Sequence, residues 1–579
     1  MKKFLFLTVG ILLAIGLILP GCSGGGGGGG TVDSGYHGLA KAGYISIGVL
    51  GDYDYIQGWH ALDGANLAKT DLGTSITLGT ETGIGVNIVK IDTNEVDSPG
   101  GTDGTTAVTA NLAKCDFMVG GFRTEGVVGY MPLIMAQKMV YIDCGAATES
   151  LCQDVVSDYN TNKYFFRGTP PNDYLLAVML GKLNDVILGE AEAAHPFVPK
   201  IAVVAENATW TQDPVAITMN ALINSPLGDI TVSGIHTAFE IPSVPTIDSQ
   251  VTSVLATIPN TANIIITILS GPCGITFQNH IRTYFPHALI MGINVEAQNS
   301  NFPNLLTNPS LAEGLIIQDA WVPGVSQTSE TATFLSEFAA AYSTQNGGDY
   351  GSVPIYTAGT YDAVKYLVTA AESKAKMSAS TPAVVEWLPD DIVSYLETNV
   401  AETAGGITGY YPKWDGTTMG TFMATSVPAL SEAQVLDLYP WLATAKFSDG
   451  STISDWAYDP DDWTMPYHPS HDLVFASPYD STHAANTGIA SQWQSGVKVC
   501  IWPTRDLTYA GPLAGLYNIT TIQEWEGFLN TPGVIPAVIN ATTLEEIQGA
   551  GLWDQYGWWN FAYPGTGHLD LTDFIAHLP

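Results

Sequence analysis

From Tyr44 onward, short apolar runs of strand length alternate with stretches whose apolar residues recur at helical spacing. The pattern predicts strands at 45–50, 86–91, 116–120, 139–143, 200–204, 230–232 and 264–269. Between them it predicts helices at 57–72, 106–113, 127–137, 174–188, 213–223 and 248–258, the first carrying Trp59, Leu62, Ala65 and Ala68 on one face. Strands alternating with helices in this way make βαβ units and a parallel sheet. So many strands before residue 292 exceed what one compact doubly wound domain of ordinary size holds, so the chain reads as two α/β lobes. Ligands of such sheets sit beyond the carboxyl ends of the strands. The loops after Leu50, Gly120, Asp143, Val204 and Leu269 are therefore the ones to watch.

The first residues follow a different pattern. Met1-Lys2-Lys3 is basic, and residues 4–19 form a nearly unbroken apolar run, which reads as a signal peptide. The run is shorter than the ~20 residues of a spanning helix. It ends in Leu19-Pro20-Gly21-Cys22, similar to a bacterial lipobox in which the cysteine is lipidated; an uncleaved anchor is the alternative. Residues 1–21 are thus expected to be the signal peptide and 22–43 a tether, with Gly24 to Gly30 too bare of side chains to pack. Gly21-Cys22-Ser23-Gly24-Gly25 spells G-x-S-x-G, but it lies outside any strand-to-helix turn and is no nucleophile elbow. No later apolar stretch is long enough to span a membrane, so an extracytoplasmic body held by its lipid is expected.

Charge narrows the function. Twenty Lys and Arg against 56 Asp and Glu leave a net charge of −36, which excludes binding to nucleic acid through clustered cations. Only 13% of residues are charged, so the acidity comes from scarce Lys and Arg. With Cys22 lipidated, five cysteines remain (Cys115, Cys144, Cys152, Cys273, Cys500), an odd number; Cys144 and Cys152 are close enough for a small loop disulfide. There is no C-x-x-C, and in His468-Pro469-Ser470-His471 the proline breaks the helix that would align two ligands, so neither a metal nor a cofactor is expected. Asp92-Thr93-Asn94-Glu95-Val96-Asp97 lacks the glycine and distal glutamate of a calcium loop.

Several segments, in order, resemble a known family. These are Ile47-Gly48-Val49-Leu50-Gly51, Gly58 followed by Ala65-Asn66-Leu67-Ala68, Val119-Gly120-Gly121-Phe122, and Tyr164-Phe165-Phe166-Arg167-Gly168-Thr169-Pro170. Tyr361-Asp362-Ala363-Val364, Gly405-Gly406-Ile407-Thr408-Gly409 and the stretch from Gln492-Trp493-Gln494 to Ile501-Trp502-Pro503 complete the set. The chain resembles the type I periplasmic binding proteins, specifically the branched-chain amino acid (Leu/Ile/Val) substrate-binding proteins of ABC transporters. The resemblance implies two doubly wound parallel-sheet lobes joined by a three-strand hinge, with ligand held between them and no catalysis. It places lobe 1 at 44–165 plus about 296–380, lobe 2 at 166–295 plus about 381–503 with an insertion, and a C-terminal extension at 504–579. It implies a monomer that takes a small-molecule ligand, an amino acid or related small carboxylate, to an ABC transporter permease.

A zwitterion needs donors for its carboxylate and an anion for its ammonium. By the resemblance the donors come from Arg123-Thr124-Glu125 and from Gly145-Ala146-Ala147-Thr148, unless the latter is only a tight turn. Arg123 stands where small hydroxyl residues are usual; it either grips a carboxylate or pairs with Glu125. Trp210 either packs on the ligand or anchors the surface to the core. Glu296 is the candidate ammonium partner, with a solvated face as its plain alternative, and Tyr53 or Tyr55 is placed to cover the ligand. Eleven of the 14 tryptophans follow Thr381, either as packing for an extra layer or as a surface for sugars or a partner. The rival functions are a ligand-binding sensor, a surface interaction module of the same fold, and a hydrolase in the extension, for which no motif is present.

Overall fold

The computed structural model describes residues 43–96, 101–146, 148, 150–168, 199–211, 231–239, 247–319, 329–342, 355–379, 385–399, 471, 489–502 and 570–578. Cys22, Ala147, His468 and the predicted helices at 174–188 and 213–223 lie outside these residues.

The strands are β1 (Tyr44–Gly51), β2 (Ile76–Leu78), β3 (Glu81–Asp92), β4 (Phe117–Gly120), β5 (Tyr141–Asp143) and β6 (Phe165–Arg167) in one sheet, ordered β2-β3-β1-β4-β5-β6. All neighbours are parallel except the β2–β3 hairpin. The second sheet holds β7 (Lys200–Glu206), β8 (Thr231–Phe239), β9 (Ile264–Leu269), β10 (Leu289–Asn294), β11 (Ile316–Asp319), β14 (Ile489–Gln494) and β15 (Val497–Trp502), ordered β15-β14-β11-β10-β9-β7-β8. It is parallel from β8 to β11 and antiparallel through β14 and β15. A two-stranded ribbon, β12 (Lys376–Met377) with β13 (Val385–Glu386), stands apart. The architecture is therefore the two-lobed α/β one.

The helices that matter here are α1 (Ile56–Leu72), α2 (Thr102–Asn111), α3 (Thr124–Ala136), α4 (Ser150–Ser157), α5 (Tyr159–Asn162), α6 (Ile247–Leu255), α7 (Cys273–Tyr284), α8 (Phe302–Leu305), α9 (Ser329–Tyr342), α10 (Ile355–Lys374), α11 (Pro389–Asn399) and α12 (Thr572–Ala576). In the second lobe the strand residues alternate between two cores. Ile201, Val203, Ala205, Ile264, Ile266 and Ile268 enter one; Ala202, Val204, Ile265 and Leu269 enter the other. Both faces of the sheet are covered, which is why these strands read as unbroken apolar runs.

Lobe membership departs from the expected boundaries. Arg167 still pairs within the first sheet, opposite Asp143, so the first passage between lobes lies after it. Ile316 and Ile317 pair with Met291 and Gly292, so 296–319 continue the second lobe instead of returning to the first. Val385, Trp387, Ile392 and Leu396 join the first lobe's core, and Trp387 stacks on Phe117 at 5.5 Å, although 381 onward was assigned to the second. Hydrophobic complementarity decides these placements, and a local pattern cannot say which core an apolar helix will meet. Trp387 and Trp493 both serve as packing: the Trp493 indole N–H donates to the Ala297 carbonyl at 3.2 Å. The expected Cys144–Cys152 disulfide is absent. Both are buried thiols outside any disulfide: the Cys144 thiol donates to the Ile142 carbonyl, and Cys152 Sγ accepts from the Arg167 guanidinium.

Two glycines set the approach to the cleft. Gly120 and Gly121 have φ of +92° and +93°, and a Cβ on Gly120 would lie 2.3 Å from the Leu50 carbonyl oxygen. Gly120→Ala is expected to destabilise the protein by about 3 kcal/mol through left-handed strain and the backbone clash. Urea unfolding measures this, and a loss below about 0.5 kcal/mol would contradict the packing described.

Candidate ligand cleft

Strand order reverses at one point in each sheet. In the first, β3 and β4 flank β1; in the second, β8 and β9 flank β7. Such switch points leave a crevice at the carboxyl ends of the strands. The loops from these points meet each other. Arg123, just after β4, puts Nη2 3.1 Å from Oε1 of Glu206, the last residue of β7. Gln57, in the first turn of α1, donates from Nε2 to Glu296 Oε1 at 2.8 Å, and Glu296 follows β10. The Thr209 amide donates to Glu125. The ring of Phe122 meets that of Tyr356 edge-on at 5.6 Å, and Tyr356 in turn packs near His60.

Glu206 is the most fully bonded of these groups. Its carboxylate accepts from Arg123, from the Trp210 indole at 2.9 Å, and from the Ser270 hydroxyl at 2.6 Å and amide at 2.9 Å. Burial alone would raise its pKa, but the Arg123 guanidinium and the Ser270 and Trp210 donors together hold it below the usual range. Burial likewise opposes the charge on Arg123, and Glu206 and Glu125 outweigh it, so its pKa is raised. The partner of Arg123 is thus Glu206, a third possibility beside the ligand and Glu125. Trp210 is buried and spends its N–H on Glu206 and Ser270, the contacts of an anchor.

Glu95 holds the first-lobe loop in place. Its carboxylate accepts from the amides of Phe122 at 3.2 Å and Arg123 at 3.1 Å and from the Thr93 hydroxyl at 3.1 Å. Burial nevertheless pushes its pKa up to about 7. A second loop is held from beneath. Asp143 Oδ1 accepts from the amides of Gly145 and Ala146, and buried Arg167 donates to the carbonyls of Ala146, at 3.0 Å, and Thr148. Thr148 is buried on this loop. Thr124 opens α3 and is buried, so its backbone amide belongs to a helix N-terminus, which favours anions.

Tyr53 is turned to the strand. Its hydroxyl donates to the Val49 carbonyl at 2.8 Å, and its ring lies under Lys90 Nζ at 4.1 Å, which leaves no hydroxyl for a ligand cover. Tyr55 is half-buried at the N-terminus of α1. Glu296 is buried rather than solvated. Burial pushes its pKa up to about 7, with Glu206 adding to the rise and the Gln57 bond opposing it. Among the described residues, Gln57 Oε1, Arg123 Nε, Thr124 Oγ1 and the Tyr356 hydroxyl are buried with no hydrogen-bond partner. Gln57, Arg123 and Thr124 stand on first-lobe elements, and the Tyr356 side chain joins the second lobe's core cluster. His471 is occupied elsewhere: its ring nitrogens lie 2.7 Å from the Phe165 carbonyl and 2.8 Å from Glu397.

Sequence reasoning missed Gln57, Glu95, Glu206, Arg167 and Tyr356 as parts of the site. Glu206 alone carried a signal, a lone charge closing an apolar strand at a switch point. The others lie on a helix or in a motif that reads equally well as surface.

The chain is similar in structure to several solved proteins. A solute binding protein of an ABC transporter from R. palustris, in complex with benzoate, is 14% identical over 79% of this chain and 95% of that one, with a TM-score of 0.47. The branched-chain amino acid transporter substrate binding protein LivJ from Streptococcus pneumoniae, in complex with isoleucine, is 16% identical over 63% of this chain and 90% of that one, with a TM-score of 0.47. An extracellular ligand-binding receptor from Rhodopseudomonas palustris HaA2 is 14% identical over 78% and 98%, with a TM-score of 0.49. No family model and no curated protein matches the chain. Among the described residues no helix is long and apolar enough to cross a membrane.

Proposed function

We propose that the chain is an extracytoplasmic solute-binding protein, anchored through a lipid on Cys22. It captures an amino acid or related small carboxylate between its lobes and delivers it, as a monomer and without catalysis, to the permease of an ABC importer. The observation that carries the reading is the meeting of the two switch points over buried polar atoms that lack partners, Gln57 Oε1, Arg123 Nε, Thr124 Oγ1 and the Tyr356 hydroxyl. The N-terminus of α3, with the Thr124 hydroxyl and the loop through Thr148, suits the ligand's carboxylate. Glu296 suits its ammonium, taking over from Gln57. Hinge closure of the lobes around the ligand is the mechanism.

Thermal unfolding against amino acids, dicarboxylates, aromatic acids and sugars tests this, since a ligand at 100 times its Kd adds about 2.7 kcal/mol. A shift with an amino acid, lost in Thr148→Ala and Glu296→Ala, supports the reading. No shift with any of these ligands would move it to a sensor or surface module.

Glu296 also sets a pH dependence. An unfolded glutamate ionises near 4.5, whereas Glu296 does so at about 7, so its contribution to stability in the free protein falls as pH rises between those values. An ammonium ligand reverses the preference and needs the ionised form. Affinity for an amino acid is expected to fall about tenfold per pH unit below about 7 and to level off above it. Titration calorimetry from pH 5.5 to 8 checks this; a flat profile, or a slope retained in Glu296→Gln, would remove Glu296 from the role.

A further inference from the structure

At the end of the second lobe opposite the cleft, the C-terminal segment returns to the sheet. Leu571 and Phe574 enter the core that faces β7, β9 and β10, and Gln492 exchanges two 2.8 Å hydrogen bonds with the backbone of Asp570. This docking fixes α12, so that Asp573 on the helix and His577 just past its end, four residues apart, stand side by side. The loop between α7 and β10 brings His287 against them.

The three side chains converge with spacings that suit a metal. His287 Nδ1 lies 3.2 Å from Asp573 Oδ2, and His577 Nδ1 lies 3.4 Å from Asp573 Oδ1. One ligand atom from each of the three lies within 4.8 Å of the others. Two ligand atoms bound at ~2.0–2.1 Å to a tetrahedral ion are about 3.3 Å apart, close to both measured spacings. The imidazoles stack face to face, with centroids 3.4 Å apart and planes 5° from parallel; each nitrogen lone pair lies in its own ring plane, so one of the exposed rings turns out of the stack when both take a single ion. The chain's charge of −36 draws cations toward the surface.

We propose that His287, Asp573 and His577 form a site for a divalent transition metal ion of the zinc type, which clips the C-terminal segment to the second lobe. Two imidazoles and a carboxylate are a ligand set suited to zinc, cobalt or nickel. The His577 Nδ1 hydrogen now directed at the Asp573 carbonyl, 2.8 Å away, moves to Nε2 when the metal takes Nδ1. A cavity of about 540 Å³ lined by Lys200, Asn263, Tyr284, Phe285 and both histidines adjoins the cluster. The site lies at the amino ends of the strands. Seven residues of β7 separate that edge from Glu206, roughly 20 Å. Sequence analysis found no metal site because His287 and Asp573 are 286 positions apart.

Titration of the full chain with Co²⁺, followed by its visible d–d absorption, and with Zn²⁺ by calorimetry tests the proposal. One equivalent is expected to bind in a low-symmetry, four-coordinate spectrum, and His287→Gln and His577→Gln are each expected to lose at least about tenfold in affinity. All three side chains are exposed, so these variants keep the fold, which circular dichroism verifies. Zn²⁺ is also expected to slow hydrogen exchange at the amides of α12 in the native chain and not in the double variant. Absence of cobalt absorption, or unchanged zinc affinity in His287→Gln/His577→Gln, overturns the site.

Discussion

Arg123→Met is expected to lower stability by about 3–5 kcal/mol, because it strands the Glu206 carboxylate in a buried setting with no counter-charge. Both side chains are almost inaccessible, at 2% and 0% exposure, so solvent does not screen the loss. The donors from Ser270 and Trp210 remain and soften the penalty, but none is charged. Glu206 would then titrate well above its present position. The pH profile gives the sign. In the native protein the depressed pKa of Glu206 contributes stability present above the unfolded value and lost as pH falls through the folded one. In the variant that acid-side loss is expected to invert, with stability rising as the pH is lowered toward 5. The double change Arg123→Met/Glu206→Gln, which removes both charges, should recover much of the loss. Urea unfolding of the three variants decides the matter. A single variant within about 1 kcal/mol of the parent would mean that the pair is not the closed contact between lobes described above.

Arg167→Met is expected to cost a similar amount, about 3–5 kcal/mol, for a different reason. Arg167 is fully buried and serves no cleft ligand directly. Its guanidinium donates to the carbonyls of Ala146 and Thr148 and to the Cys152 sulfur, and its charge opposes the rise of the Asp143 pKa, which burial has already pushed up to about 8. Methionine fills the volume but leaves those acceptors unpaired and Asp143 without its neighbouring cation. Arg167→Lys should restore less than half of the loss, since one ammonium cannot reproduce a planar fork aimed at three acceptors. Among the described residues, Arg167 and Asp143 hold the loop that carries Thr148, so ligand affinity should fall with stability. Full rescue by lysine, or a loss under about 1 kcal/mol, would show that the loop holds itself.

How much of this was legible beforehand differs by level. The strands at 45–50, 116–120, 200–204 and 264–269 were readable because a strand buried on both faces needs an unbroken apolar run. The alternation of strands with helices was enough for two parallel α/β lobes, since a parallel neighbour requires a crossover of helix length. The helix at 127–137 was found, but its start at Thr124 was not, because no side chain caps it. Ile76–Leu78 went unseen because three residues are too few to show a period.

The site was legible as a set of loops and not as a set of contacts. Arg123, Thr124, Thr148, Trp210 and Glu296 all stand at or near strand ends. Their partners were not implied. The Arg123–Glu206, Gln57–Glu296 and His287–Asp573 contacts join residues 83, 239 and 286 positions apart. The sequence by itself determined which stretches become strands and which become helices, because these follow from short-range periodicity and from the geometry of one βαβ unit. Only the tertiary structure decided which lobe owns 296–319 and 385–399, which carboxylate holds Arg123, and where the C-terminal segment docks. Those outcomes depend on burying apolar surface and satisfying buried charge between distant segments, and such free energies are functions of three-dimensional proximity that no local pattern contains.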